Sequence, residues 1–135
     1  FVNPPPALDF YAKLEIALTV QNIPNNNLFM MKHSLAQGFP IEIGMMIYES
    51  FESEEMANSG ILQMPKPGEQ VVGGHAVVIC GYDDQEQMFT VRNSWGIQWG
   101  LPLGIFNSKG YFKMPYAFAN NPEYLIEAWS IQKVS

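Results

Sequence analysis

The sequence predicts an α+β domain, an antiparallel sheet carrying one or two short helices. Three observations predict it. Ile41, Ile43, Met45 and Ile47 alternate with Glu42, Gly44, Met46 and Tyr48, the period of a strand with one strongly apolar face. Val77-Val78-Ile79-Cys80 and Met88-Phe89-Thr90-Val91-Arg92 are apolar runs joined by polar Asp83-Asp84-Gln85-Glu86-Gln87, the pattern of a β-hairpin. Leu28, Met31 and Leu35 recur at helical spacing between an asparagine cluster and Gly38.

Composition narrows the class further. The 135 residues have room for one core, and 47% are hydrophobic with only 15% charged, which favours burial over disorder. Seven basic and thirteen acidic side chains give −6 at pH 7, a surface that repels a phosphate backbone, so nucleic acid is not an expected partner. No apolar run reaches the ~18 residues of a membrane-spanning helix, and no membrane partner is expected. The single cysteine, Cys80, cannot form an internal disulfide or build a thiolate metal site alone. No metal or cofactor is implied.

Taken in order, residues 1–27 read as a linker and extended lead-in, and 28–135 as the domain. Val2-Asn3-Pro4-Pro5-Pro6 is stiffened by proline. The chain starts at Phe1 without a targeting pattern, as expected of a processed product, a fragment or one piece of a larger chain. Asp9 to Thr19 is a strand or irregular. Asn26 or Asn27 caps the helix, because its side chain can accept from free first-turn N–H groups. His33 is expected to face solvent on that helix, having no partner at ligand spacing. Glu49 to Lys66 reads as a long solvated loop carrying Glu49, Glu52, Glu54 and Glu55, without the spacing of an EF-hand. Val77 to Cys80 is uninterrupted enough to suggest burial on both faces, with Cys80 a small buried hydrophobe. Trp129 to Val134 alternates as a closing strand.

The chemistry collects around the hairpin. If Tyr82 pairs with Met88, partner numbers sum to 170, His75 faces Trp95 and Val77 faces Asn93. His75, Asn93 and Trp95 then share a face, with His75 and Asn93 as diagonal neighbours ~7–8 Å apart at Cα. A slip of one residue sends Asn93 to the other face. An imidazole can take a proton from a thiol and return it to a leaving group, provided it is held in one tautomer. A carboxamide oxygen accepting from a ring N–H does that without adding full charge. The competing explanation is a structural hydrogen bond between adjacent strands. Cys80 lies five residues along from His75, about 17 Å away at strand rise, and cannot be its nucleophile.

Gly74-His75-Ala76-Val77-Val78-Ile79-Cys80-Gly81-Tyr82, followed by Val91-Arg92-Asn93-Ser94-Trp95-Gly96-Ile97-Gln98-Trp99-Gly100, resembles the histidine and asparagine signatures of papain-like, cathepsin-type cysteine peptidases. Gln37-Gly38-Phe39-Pro40-Ile41, Gly60-Ile61, Gly110-Tyr111-Phe112-Lys113 and Ala128-Trp129-Ser130-Ile131 fit as well, so the likeness covers roughly 28 to 134. It implies the right-hand, β-rich half of the two-domain papain fold, an antiparallel half-barrel. Carried over, His75 is the general base and acid, Asn93 orients its ring, Trp95 shields the pair and Trp99 borders the leaving-group side. Gly44, Gly73, Gly74 and Ala76 match positions lining the cleft, mainly the pocket for the second residue before the cut. Their small size implies a roomy pocket for a bulky apolar or aromatic side chain.

Three departures qualify the likeness. The nucleophilic cysteine motif and the oxyanion-hole glutamine do not occur. In this family the histidine and asparagine follow the cysteine by about 130–150 residues, which puts the thiol about 55 or more residues before Phe1. The expected partner is therefore a cysteine-bearing N-terminal half, carried on a separate chain or removed, and this chain alone should be inactive. The family's usual disulfide in this half cannot form, which argues against a typical secreted or lysosomal member. Leu101 to Lys109 is longer than the family's usual connection, as a flap or a plain loop. The function implied is peptide-bond hydrolysis by a Cys-His-Asn mechanism. The alternative is a non-catalytic, peptide-binding relative whose other half lacks the nucleophile.

Overall fold

Strand β2 (Ile41–Tyr48) occupies the middle of the molecule, and its alternating apolar residues explain why. Ile41, Ile43, Met45 and Ile47 are all buried on one face, and β2 is paired on both edges. The computed structural model describes residues 18–93, 100–101 and 109–133. Around β2 run β1 (Leu18–Asn22), β3 (Val71–Asp83), β4 (Met88–Arg92), β5 (Tyr111–Pro115) and β6 (Leu125–Lys133). They form one six-stranded sheet in the order β1-β6-β2-β3-β4-β5, antiparallel at every junction. Short helices α1 (Leu28–Ala36), α2 (Glu54–Ser59) and α3 (Tyr116–Ala119) complete an α+β fold. None of the described helices is long and apolar enough to cross a membrane.

The capping chemistry of α1 follows the sequence. Asn27 precedes the helix, and its Oδ1 accepts from the Met30 N–H at 3.1 Å. Met31 and Ser34 face inward, where the Ser34 and Ser130 hydroxyls meet at 2.6 Å and tie α1 to β6. His33 is exposed, as expected.

The lead-in is more structured than a linker over its described part. Residues 18–22 form β1, whose backbone pairs with β6 from Leu18–Lys133 to Asn22–Trp129, and Ile23 is buried in the core. Unpaired backbone is costly, and the long β6 offers an edge that β1 satisfies. The expected solvated loop also has structure. Ser53 accepts from the Met56 N–H, Glu54 and Glu55 occupy the first turn, and Gly60 closes α2 in the left-handed conformation at φ 65°. Glu49 and Glu69 anchor this segment further, accepting from the backbone N–H groups of Gln70 and Ser50 respectively.

The core lies on the buried face of the sheet, where α1 contributes Met31 and the other side is filled by Phe51, Met56 and Phe118. Phe89, Val91, Phe112 and Met114 on β4 and β5 are completely buried, and Phe51 meets Phe112 edge-on with ring centroids 5.2 Å apart. Only one face of β3 joins this core. Val77 and Ile79 are buried, Val78 is half-buried and Cys80 is exposed, so burial on both faces is not what the strand achieves. An antiparallel sheet needs only one covered face, and Cys80 sits where the ladder is interrupted.

The proline-stiffened entry over 2–6, residues 9–17 of the segment Asp9 to Thr19 expected as strand or irregular, Trp95, Trp99, positions 102–108 of the long connection and Val134 lie outside the described residues.

Candidate active site

The register of β3 against β4 decides whether His75 and Asn93 can meet. At the turn, Asp83 pairs with Met88, Tyr82 with Phe89 and Gly81 with Thr90, one step away from the expected Tyr82–Met88 pairing. Continued without interruption, that ladder would set Asn93 opposite Val78 and aim its side chain away from His75. A β-bulge at Cys80 inserts the missing residue. Ile79 then pairs with Val91 and Val78 with Arg92, restoring the expected sum of 170 towards the histidine. The side chains therefore meet, with His75 Nε2 2.7 Å from Asn93 Oδ1.

Each partner is held by its own strand pairings. His75 is paired with Met45 of β2 and sits beyond Val77 on the core-facing side, half-exposed where the core ends. Asn93, the residue after β4, donates its backbone N–H to the Gly110 carbonyl at 2.8 Å and is 5% exposed. A carboxamide oxygen only accepts, so Nε2 carries the proton in this bond. That fixes the ring orientation and makes Nδ1 the atom through which a proton can be taken and returned. Burial of Asn93 limits competition from water for the bond.

Cys80 is remote from this chemistry. It is exposed at the bulge, where its thiol points to the Thr90 carbonyl at 3.5 Å. Partial burial of the sulfur pushes the thiol above its ordinary value, against the lowering effect of the Arg92 charge. A protonated thiol is a poor nucleophile.

The four small residues fall into two groups. Gly44 and Ala76 are cross-strand partners on the sheet face opposite the core. Gly73 and Gly74 lie at the start of β3. A Cβ at Gly73 would meet nothing within 4 Å, and one at Gly74 only the Met45 carbonyl at 3.9 Å. The space above Gly44 is different, because a Cβ there would lie 3.2 Å from Glu127 Cγ and 3.6 Å from its Oε1. Here the small residue makes way for a carboxylate, whereas the roomy apolar pocket expected from residue sizes would have left this wall open.

A second acid lies beside the first. Glu42 is on the same face of β2 as Gly44 and is 3% exposed. Burial, reinforced by the Glu127 charge, raises its carboxyl from an ordinary 4.5 to about 7. The folded state thus keeps a proton that the unfolded chain gives up, and stability falls as pH rises from about 4.5 through about 7. Glu42→Gln should flatten urea-melt stabilities across that window by as much as about 3 kcal/mol relative to wild type. Parallel wild-type and variant profiles would show that Glu42 does not titrate there. Neither acid was singled out in the sequence, since the β2–β6 pairing that brings them together leaves no local pattern.

An antiparallel sheet bearing an imidazole–carboxamide pair at the limit of its core is the arrangement expected of the histidine-bearing half of a cysteine peptidase. The model of the papain family cysteine proteases matches residues 11–128, and the chain belongs to that family. It is 37% identical over 125 residues to an uncharacterised peptidase C1-like protein of Acanthamoeba polyphaga mimivirus, a match covering 93% of this chain and 37% of that protein. It is 31% identical to cathepsin L of Sarcophaga peregrina over 69% of this chain and 25% of the relative. Among solved structures, xylellain, a cysteine protease from Xylella fastidiosa, superposes with a TM-score of 0.72 at 29% identity, over 89% of this chain and 41% of that one. The chain therefore spans well under half the length of these relatives.

Proposed function

We propose that this chain supplies the general base and acid, His75, and its orienting amide, Asn93, to a papain-type peptidase whose nucleophilic cysteine lies outside these 135 residues. The observation that carries the reading is the 2.7 Å bond from His75 Nε2 to Asn93 Oδ1, which leaves proton exchange to Nδ1. A cysteine from the N-terminal half gives its proton to Nδ1, and the thiolate adds to the scissile carbonyl carbon. The C–N bond breaks as His75 protonates the departing amine, leaving an acyl-enzyme. Water then adds to the acyl carbon, passing a proton to His75, and the thiolate departs. Trp95 and Trp99 are assigned shielding and cleft-border roles by their places in the motif, and Gly44, Gly73, Gly74 and Ala76 are assigned to the peptide cleft. Val71 and Val72 are exposed at the end of β3 nearest His75, as suits a surface covered by the cysteine-bearing half.

Alkylation of the full-length protein by iodoacetamide tests this. A thiolate–imidazolium pair should react rapidly well below the ordinary thiol value of about 8.5, and peptide mapping should place the label outside this chain. A single titration near 8.5, or labelling at Cys80, would overturn the assignment. An intact cleft with no reactive thiol would instead identify a non-catalytic peptide-binding relative.

A further inference from the structure

We propose that the cavity between helix α2 and residues 61–66 binds a free α-amino acid with an apolar side chain, as its zwitterion, and that the bound molecule steadies the backbone holding Asn93. Binding goes beyond the peptidase reading and does not depend on it. The link to Asn93 bears on that reading, because free amino acids are what exhaustive peptide hydrolysis releases.

Size and lining select the ligand. The cavity has a volume of about 180 Å3. An apolar cavity of about 150 Å3 holds benzene, so a molecule the size of leucine fits here and a longer peptide does not. Its floor is apolar, with Met56 and Leu62 buried and Ile61 half-buried beside them. Glu55 and Lys66 are exposed and line the same cavity with one charge of each sign. The two do not meet: among the described residues the ion pairs are Lys32–Asp84 and Lys113–Glu86. The Lys66 charge acts weakly on Glu69, whose carboxyl is lowered chiefly by its hydrogen bond to Ser50. The Glu69 oxygens accept from the backbone N–H groups of Ser50 and Lys66, which leaves the Lys66 ammonium available. Ser59 Oγ accepts from the Ile61 N–H at 3.3 Å, so its own proton can be donated to a ligand. A simple cation would meet Lys66, a simple anion would meet Glu55, and a neutral ligand would leave both unused. A zwitterion sets its ammonium at Glu55, its carboxylate at Lys66 and Ser59, and its side chain on the apolar floor.

Both walls of the cavity are tied to the backbone beside the His75–Asn93 pair. On the α2 side, the Ala57 carbonyl accepts from the Gly100 N–H at 2.9 Å. On the other, Leu62 donates to the Lys113 carbonyl at 2.9 Å, and Lys113 donates to the Gly60 carbonyl at 2.7 Å. Lys113 lies three residues from Gly110, whose carbonyl accepts from the Asn93 N–H at 2.8 Å. A ligand that spans the walls binds only while they stand at this separation, so it disfavours every opening that parts them.

The test uses the full-length protein and free L-leucine. Titration calorimetry should give a Kd of about 1 mM or tighter. Glycine lacks the side chain, N-acetyl-leucine the ammonium and leucine amide the carboxylate, and each should bind at least about tenfold more weakly. Glu55→Gln should weaken leucine about tenfold and leave N-acetyl-leucine unchanged, while Lys66→Gln should weaken leucine equally and leave leucine amide unchanged. Both side chains are exposed, so neither variant disturbs the core. No binding of leucine at about 10 mM overturns the site. Equal affinity for leucine and its two blocked derivatives overturns the zwitterion. With leucine at about ten times its Kd, hydrogen exchange should slow about tenfold at the Leu62, Gly100 and Asn93 N–H groups. Slowing at Leu62 with none at Gly100 and Asn93 overturns the link to the pair. None of these measurements involves hydrolysis, so their failure leaves the assignment of His75 standing, and a protein without peptidase activity would still show them.

Discussion

Replacing His75 by alanine in the full-length protein should lower kcat/KM for peptide hydrolysis by about 10,000-fold, with most of the loss in kcat. In the proposed mechanism two proton transfers depend on the ring, formation of the attacking thiolate and protonation of the leaving amine. Asn93→Ala should cost less, about 100-fold, because it releases the ring from one orientation while leaving the proton acceptor in place. Asn93 is buried and its backbone N–H is bound to Gly110, so the strand should hold its course and the loss should come from the side chain alone. The ordering of the two variants is the discriminating result. Equal losses would assign the pair a joint structural role, and an active His75→Ala would remove the imidazole from the chemistry. Circular dichroism of both variants separates misfolding from loss of function.

The meeting of these two side chains was legible only in part. The alternating residues of β2 and the two runs flanking Asp83–Gln87 show these strands and the β3–β4 hairpin, because period-two burial is written locally. The pairing that joins His75 to Asn93 was reached through a turn one residue out of register, and the correct face resulted because the bulge at Cys80 compensates. A bulge leaves no firm local signature, since the extra residue is unpaired and any side chain tolerates it. Cys80 and Gly81 at that place show how little composition reveals: the thiol expected in the core stands at an exposed kink. Helix α2 is the opposite case. Ser53, two glutamates and Gly60 are adequate capping and first-turn chemistry for a short helix, but their polarity resembles that of a loop.

The acid pair was illegible for a different reason. Glu42 sits in an apolar strand where its alternation marks it as outward-facing, and solvent would be the ordinary outcome. Burial follows from β6, whose residues 127 and 129 lie beside Gly44 and Glu42 although more than eighty positions separate them in sequence. Long-range pairing decides both the burial and the shared charge, and each then bears on the other: the less water reaches Glu42, the more the Glu127 carboxylate raises it.

Gly100, the last residue of the tryptophan–glycine motif, should tolerate a side chain poorly, and Gly100→Ala should destabilise the full-length protein by about 3–5 kcal/mol in urea melts. Two costs combine. Its φ of 76° lies in the left-handed region, where an L side chain alone costs about 1–2 kcal/mol. A Cβ would also overlap the Tyr111 carbonyl oxygen, which already accepts from the Leu101 N–H at 2.7 Å. Relief requires β5 to move at Tyr111, or requires Gly100 to give up the 2.9 Å bond from its N–H to the Ala57 carbonyl. Either movement strains the anchor of the His75–Asn93 pair, because Gly110, adjoining Tyr111, carries the carbonyl that holds the Asn93 backbone. Gly38→Ala separates the two contributions: its φ is 88°, yet nothing lies within 4 Å of the added Cβ, so only the conformational cost of about 1–2 kcal/mol should remain. A loss at Gly100 no greater than that at Gly38 would mean that the approach to Tyr111 does not constrain the fold. The expected excess, accompanied by a lower kcat in the surviving folded Gly100→Ala protein, would tie the glycine of the motif to the placement of Asn93.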